Sequence, residues 1–239
     1  MYIPIKMTMK SVEGIHQFID DFNFGTLVSD AKETLTASHL PFLLNREQGE
    51  FGTLYFHFAR ANPQWRTLKH KKVMVIFNGP QAYISPTWYA STPAVPTWNY
   101  ASAHIHGVVE LLDDQKTIDI LNQTIEKHDP ELLKLEGDQQ IITKQYRDKL
   151  LKGIVGGKIT ITNIQGKEKL GQHRTKEDQQ GVVAGLHASN SPDGNQLLSY
   201  MRKTNIGLGI KNIFESSTVT FPLSPEIPRS FVVELGYKF

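Results

Sequence analysis

Apolar residues recur at two different spacings along the chain, and the change of spacing divides it. Ile15, Phe18, Ile19 and Phe22 follow Ser11 at helical intervals, which predicts a short N-terminal helix capped by that serine. From residue 24 the period shortens to two. FGTLVS, TASHLPFLL, GTLYFHF, KVMVIF, QAYIS and AHIHGVVELL are rich in β-branched and aromatic residues and are separated by Gly, Asn, Asp or Pro. Six strands within residues 24–112 predict an antiparallel sheet curled into a barrel or sandwich.

Helical spacing then returns. Asp113 or Asp114 caps a predicted helix carrying Ile118, Leu121 and Ile125, and a second runs through Ile142, Tyr146 and Leu150. GKITITNIQGK goes back to strict alternation, with Ile159 and Ile161 on one face and Thr160 and Thr162 on the other. Two shorter helical patterns lie near residues 182–186 and 197–201. Beyond about residue 205 the chain carries three prolines in SSTVTFPLSPEIPRSFVVELGYKF and no helical period, so it reads as an added strand pair or a poorly ordered tail. The fold class expected is mainly β with added helices, α+β.

Composition narrows the choices. At 239 residues, with 39% hydrophobic and 21% charged content, the chain can bury a core of ordinary size. It has no cysteine, which excludes disulfides and thiol nucleophiles and suits a reducing cytoplasm. MYIPIKMTMK lacks the apolar stretch of a secretory signal, and no apolar run approaches the roughly 20 residues that span a bilayer. A cytoplasmic protein with no membrane partner is expected. The net charge of +2 lacks the basic bias of a dedicated nucleic-acid binder. Two basic clusters, RTLKHKK (66–72) and KEKLGQHRTK (167–176), read as solvated loop ends, so charge does not support DNA as a partner.

Several familiar patterns fail. In GIVGGKIT the glycines at 153 and 157 are one residue too close for a phosphate loop, and the segment leads into a strand. GLG at Gly207 lacks the third glycine of a dinucleotide fingerprint, and neither Gly-x-Ser-x-Gly nor HExxH occurs. His104 and His106 share a strand face, but no third metal ligand is positioned, and two half-buried imidazoles hydrogen-bonded to neighbours explain them better. No metal site is expected. His39, mid-strand in ASHLPF, is either a satisfied barrel histidine or a ligand contact.

Two stretches stand apart. HFARANPQWR (57–66) follows a buried-strand pattern with an imidazole, a guanidinium, an amide and an indole, where a plain turn needs only Asn and Pro. YISPTWYASTPAVPTWNY (83–100) holds five Trp or Tyr residues among Pro86, Pro93 and Pro96, too much proline for a central strand. It reads as a long loop of rings with polar tips that buries a partner subunit, walls a pocket for a flat ligand or packs the loop's own core. His57, Arg60 and Asn62 add groups able to meet a phosphate. A flat ring system with a phosphate tail is what flavin mononucleotide (FMN) offers.

At these residues the chain resembles a known family. MYIP, ASHLPFLL, HFARANPQW, VIFNGPQAYISPTWY, PAVPTWNY, HIHG and KLGQHR with EDQQGVV together resemble, in order over residues 1–204, the Pai-type FMN-binding negative transcriptional regulators. The resemblance implies an antiparallel split β-barrel of the pyridoxamine-phosphate-oxidase type over residues 1–204, assembled as a homodimer with FMN in a groove between subunits. Residues 205–239 would be a C-terminal extension of no assigned role. Arg60 would meet the phosphate or anchor its loop, Asn62 would cap the turn, and Trp65 would pack the turn that follows. His39, His57, Tyr83 and Ser85 would border the groove, and Trp88 and Tyr89, or else Trp98, Asn99 and Tyr100 contributed by the second subunit, would cover the ring. Lys169, Gln172 and Arg174 fall in the family's C-terminal basic motif, although Gly171 and His173 replace its usual Ser and Asn.

Three functions follow from such a barrel. The first is a flavin-binding homodimer that lowers expression of target genes, directly or indirectly, although no helix-turn-helix is visible. The second is an FMN-dependent oxidoreductase using NAD(P)H, with His57, Tyr83 or His104 as proton donor. The third is a flavin- or haem-sequestering protein.

Overall fold

The computed structural model describes residues 1–31, 34–135, 141–204 and 206. The chain forms two compact units, one of Met1–Gly79 with Ala101–Glu168, the other of Pro80–Tyr100 with the chain from Lys169 onward. The C-terminal extension expected from residue 205 lies, apart from Ile206, outside the described residues.

In the first unit Ser11 Oγ accepts from the Gly14 amide and starts α1 (Val12–Asp21), which buries Ile15, Phe18 and Ile19 as their spacing predicts. Seven antiparallel strands follow: β1 (Phe24–Ala31), β2 (Thr34–Pro41), β3 (Leu43–Asn45), β4 (Thr53–Ala59), β5 (Lys72–Ile84), β6 (Thr97–Leu111) and β7 (Ile154–Lys169). Their order in the sheet is β2-β1-β5-β6-β7-β4-β3. β1 and β2 pair in step from Phe24 opposite Pro41 to Ala31 opposite Thr34.

The sheet curls around phenylalanine. Phe42, just after β2, stands 5.4 Å from the ring of Phe77 on β5 and 5.7 Å from that of Phe56 on β4. β5 and β4 are three places apart in the sheet, about 14 Å if it were flat at the usual strand spacing. One ring reaches both because the sheet bends back on itself. Phe42, Phe56, Phe58 and Phe77 are each at most 1% exposed and form the centre of this core. The fold is the mainly β, α+β split barrel expected.

The strands are divided differently from the expectation. KVMVIF and QAYIS belong to one strand, β5, which passes through Asn78-Gly79-Pro80 without turning. Phe18 of α1 lies over Gly79, where a Cβ would meet its Cε2 at 2.6 Å, so the glycine serves close packing there. TASHLPFLL is split into β2 and β3, with Phe42 between them turned inward. β6 begins at Thr97, so Trp98, Asn99 and Tyr100 are strand residues, and the loop expected over 83–100 contracts to 85–96.

Asp113, not Asp114, caps α2 (Asp114–His128) by accepting from the Lys116 amide at 2.8 Å. Thr143 caps α3 (Lys144–Lys152) in the same way. In the second unit, α4 (Lys176–Ser189) and α5 (Pro192–Lys203) bury Val182 and Leu186 on one side and Leu197, Leu198 and Met201 on the other. No described helix is long and apolar enough to cross a membrane.

Candidate functional site

The stretch 57–66 lies in the first unit, where β4 ends. Asn62 caps a 3-10 turn, Pro63–Thr67, by accepting from the Gln64 amide at 3.0 Å, with Pro63 in the first position where no N–H is needed. Its Nδ2 donates to Ser38 Oγ at 2.8 Å. Gln64, 3% exposed, accepts from Ser38 Oγ and donates to Ser29 Oγ at 2.9 Å and to the Thr36 carbonyl at 3.1 Å. Asn62 and Gln64 thus tie the turn to β1 and β2.

Arg60 has the anchoring contact of the two expected of it. Its Nε donates to the Lys152 carbonyl at 2.9 Å and its Nη2 to the Ile154 carbonyl at 2.8 Å, at the junction of α3 and β7. It shares an open recess with Asp114, Leu151 and Lys152, and the carboxylate there opposes an incoming phosphate. Trp65 Nε1 donates to the Arg60 carbonyl, so the indole packs back on its own turn. The alternation of β2 puts Ser38 and Leu40 inward and leaves His39 outside, its ring 6.3 Å from that of the exposed Phe24. It is therefore not a histidine of the barrel interior. His57 and His104 are half-buried, and burial lowers both imidazoles from their usual range, for His104 with smaller help from the N-terminus and His106.

The other ten candidates belong to the second unit. Tyr83 and Trp98, on β5 and β6, meet edge to face with centroids 6.2 Å apart. They are 49% and 48% exposed, and Trp98 Nε1 donates to Gln81 Oε1 at 3.2 Å. Lys169 Nζ donates to Thr97 Oγ1 and to the Trp98 carbonyl, leaving one of an ammonium's three N–H donors beside the ring pair. Asn99 is 3% exposed, and Tyr100 is half-buried. Gln172 Oε1 accepts from the Leu170 amide at 2.9 Å. Ser85 caps the turn Pro86–Trp88.

Trp88 and Tyr89 do not line up with this pair; they dock the loop on α4. A Cβ at Gly181 would stand 1.9 Å from the Trp88 carbonyl oxygen, and one at Gly185 would stand 2.2 Å from the Trp88 ring. One helical turn earlier, Asp178, 1% exposed, accepts from the Ser91 amide at 2.9 Å and from Ser91 Oγ at 2.7 Å. Arg174, just before the helix cap, places its guanidinium over the Tyr89 ring at 4.4 Å and its Nη1 3.8 Å from Asp178. Asp178, Gly181 and Gly185 make one face of α4 that grips the loop, and Arg174, just before the helix, adds its guanidinium.

The Ser91 hydroxyl, then its amide, hold the Asp178 carboxyl below its ordinary value of 3.8, with Arg174 adding a weaker pull and burial opposing them. A depressed carboxylate contributes stability that is complete above the unfolded value and disappears as pH falls through the folded one. The grip should therefore persist from neutral pH to about 4 and fail progressively below that. Trp88 emission, read with Trp65 and Trp98 replaced by Phe, should shift in that acid window, and Asp178→Asn should remove the shift. A signal flat to pH 2.5 with Asp178 in place would count against it.

Gln64 and Asp178 are the residues that the sequence reading missed. Gln64 gave no signal, being one amide in a polar stretch. Asp178 had one: Thr175-x-x-Asp178 has the spacing of a capping box, and Thr175 does accept from the Asp178 amide at 3.2 Å. The carboxylate goes to Ser91 instead of back to Thr175.

Residues 1–163 match the model of a family described as "Putative FMN-binding domain". The chain belongs to that family. Among relatives of this FMN-binding family, the Bacillus subtilis "Protease synthase and sporulation protein PAI 2" is 35% identical over 206 residues, covering 84% of this chain and 96% of the relative. An uncharacterised protein of Emericella nidulans is 30% identical over 85% of this chain and 97% of its own length. Among solved structures, an FAD and heme binding protein from Mycobacterium smegmatis superposes with a TM-score of 0.52 at 17% identity, over 68% of this chain and 73% of that one. That likeness is one of fold alone. The family match stops short of Lys169 and of α4, so the grip on the aromatic loop comes from outside the matched domain.

Proposed function

We propose that this chain is an FMN-binding, homodimeric negative regulator of gene expression. The observation that carries the reading is its membership of an FMN-binding family through residues 1–163, and the 35% identity to PAI 2 of Bacillus subtilis supports the regulatory part. The second unit fits a flavin chemically. Tyr83 and Trp98 offer two half-open rings to a flat heterocycle, and Lys169 offers an ammonium proton to its phosphate. Bound flavin supplies one- or two-electron chemistry; the residues of this chain bind and orient it. Arg60 keeps its anchoring role. The competing oxidoreductase reading asks His57, Tyr83 or His104 for a proton, and burial lowers both imidazoles, which makes them poorer proton donors at neutral pH. The apolar surface of Tyr83, Val95 and Trp98 supports a second subunit as the cover of the flavin.

The test is the visible spectrum of the purified protein, with identification of any chromophore released, followed by FMN titration and by light scattering for mass. Flavin bands, a dimer mass and repression of a promoter by the FMN-loaded protein are expected. Lys169→Ala should weaken FMN binding about tenfold or more, the worth of one charge-assisted hydrogen bond. Arg60→Ala should leave FMN affinity unchanged while lowering the melting temperature. A colourless protein that takes up no added FMN would overturn the reading.

A further inference from the structure

The basic stretch 66–72, read from sequence as a solvated loop end, is built differently from one. Leu68 is fully buried and pins the segment. His70 takes a left-handed conformation, φ 60°, that turns the backbone sharply. Its amide then donates to the Val109 carbonyl at 2.8 Å, and the Val109 amide donates to the Lys71 carbonyl at 3.0 Å. The turn is stitched to β6 by both bonds, while Arg66, Lys69, Lys71 and Lys72 remain exposed.

None of these four cations joins an ion pair among the described residues. Among the described residues six ion pairs occur, and their cations are Arg46, Lys116, Lys127, Lys134, Lys158 and Arg174. The patch continues past the turn. The Arg66 and Arg60 guanidiniums stand 5.6 and 5.9 Å from the Trp65 ring centroid, and Arg60 leads on to Lys152 at the end of α3. Among the described residues Asp30 lines a recess with Lys72, and Asp114 lines one with Arg60.

We propose that this turn is a contact surface for the phosphodiester backbone of double-stranded nucleic acid. Four cations on a backbone held in one conformation lose little order on binding and release counterions from the phosphates they neutralise. A membrane surface is the poorer fit. Basic elements that insert into lipid carry exposed apolar residues, whereas here Leu68 is buried and the flanking Trp65 is half-covered by two guanidiniums. The surface reads charge and shape, with no side chain assigned to a base edge. It stands independently of flavin binding.

The test is fluorescence anisotropy of a labelled 25-bp duplex of arbitrary sequence with the full chain, with and without added FMN, from 50 to 200 mM salt. Four phosphate contacts predict a slope of log K against log salt of about −3.6, roughly a 150-fold loss across that range. Replacing Lys69, Lys71 and Lys72 together by Gln should flatten the slope to about −0.9. Replacing the ion-paired Lys116, Lys127 and Lys134 by Gln makes the same change in net charge and should leave the slope as it was. Equal effects of the two triple variants would overturn the assignment, as would no binding at 50 mM salt. Binding to phosphatidylserine vesicles without binding to the duplex would overturn it in favour of a membrane.

Discussion

Phe42→Ala should cost about 3–5 kcal/mol, the range for removing a buried aromatic ring from a packed core. The residue is 1% exposed and touches rings on two strands that a flat sheet would hold far apart. Its loss opens a cavity where the sheet bends, and neighbouring rings cannot collapse into it without moving β4 against β5. At roughly 2–4 °C per kcal/mol for a chain of this size, the melting temperature should fall by about 6–20 °C. Phe24→Ala is the control, since that ring is 62% exposed and should shift the transition by no more than about a degree or two. A Phe42→Ala protein that melts with the wild type would remove Phe42 from the centre of the core.

The second large effect is expected at Gly181. An alanine Cβ there meets a backbone oxygen, that of Trp88, at 1.9 Å. A side chain can swing aside; a carbonyl moves only with its loop. Overpacking of this kind costs about 1–3 kcal/mol, and the loop should lift from α4 to relieve it. Calorimetry should report the loss, and Trp88 emission should move to the red as its ring leaves the helix face. Asp178→Ala acts on the same contact by another route, removing the acceptor of two hydrogen bonds from Ser91. The two variants together should cost less than their sum, because either one already frees the loop. Full additivity would mean that the loop is held by independent contacts.

Much of the fold was legible because it depends on local period. Ser11 and Asp113 cap helices through their own side chains, and Ile159 and Ile161 alternate with Thr160 and Thr162, features carried by neighbours in sequence. The strand boundaries were harder, because Asn78-Gly79-Pro80 reads as a break unless Phe18, some sixty residues earlier, is known to lie over Gly79. Within the candidate site, ring-bearing and cationic residues could be chosen by type, but partners could not. Arg60 meets carbonyls at residues 152 and 154, Asp178 meets Ser91, and Gln64 meets Ser29 and Ser38. Each of these contacts is made across the fold, and no spacing rule announces it.

The order of synthesis acquires a meaning from the grip of α4 on the loop. Residues 85–96 leave the ribosome well before Lys176–Ser189, the helix that receives Trp88 and Ser91. At about 5–20 residues per second the intervening chain takes roughly 4–16 s to emerge. For that interval two rings and an unmatched serine wait without their dock. A fragment ending at the matched domain, residue 163, would keep them waiting permanently. Such a fragment should be made as a chain with its aromatic loop undocked, and supplying residues 164–206 as a separate peptide should recover the docked Trp88 emission.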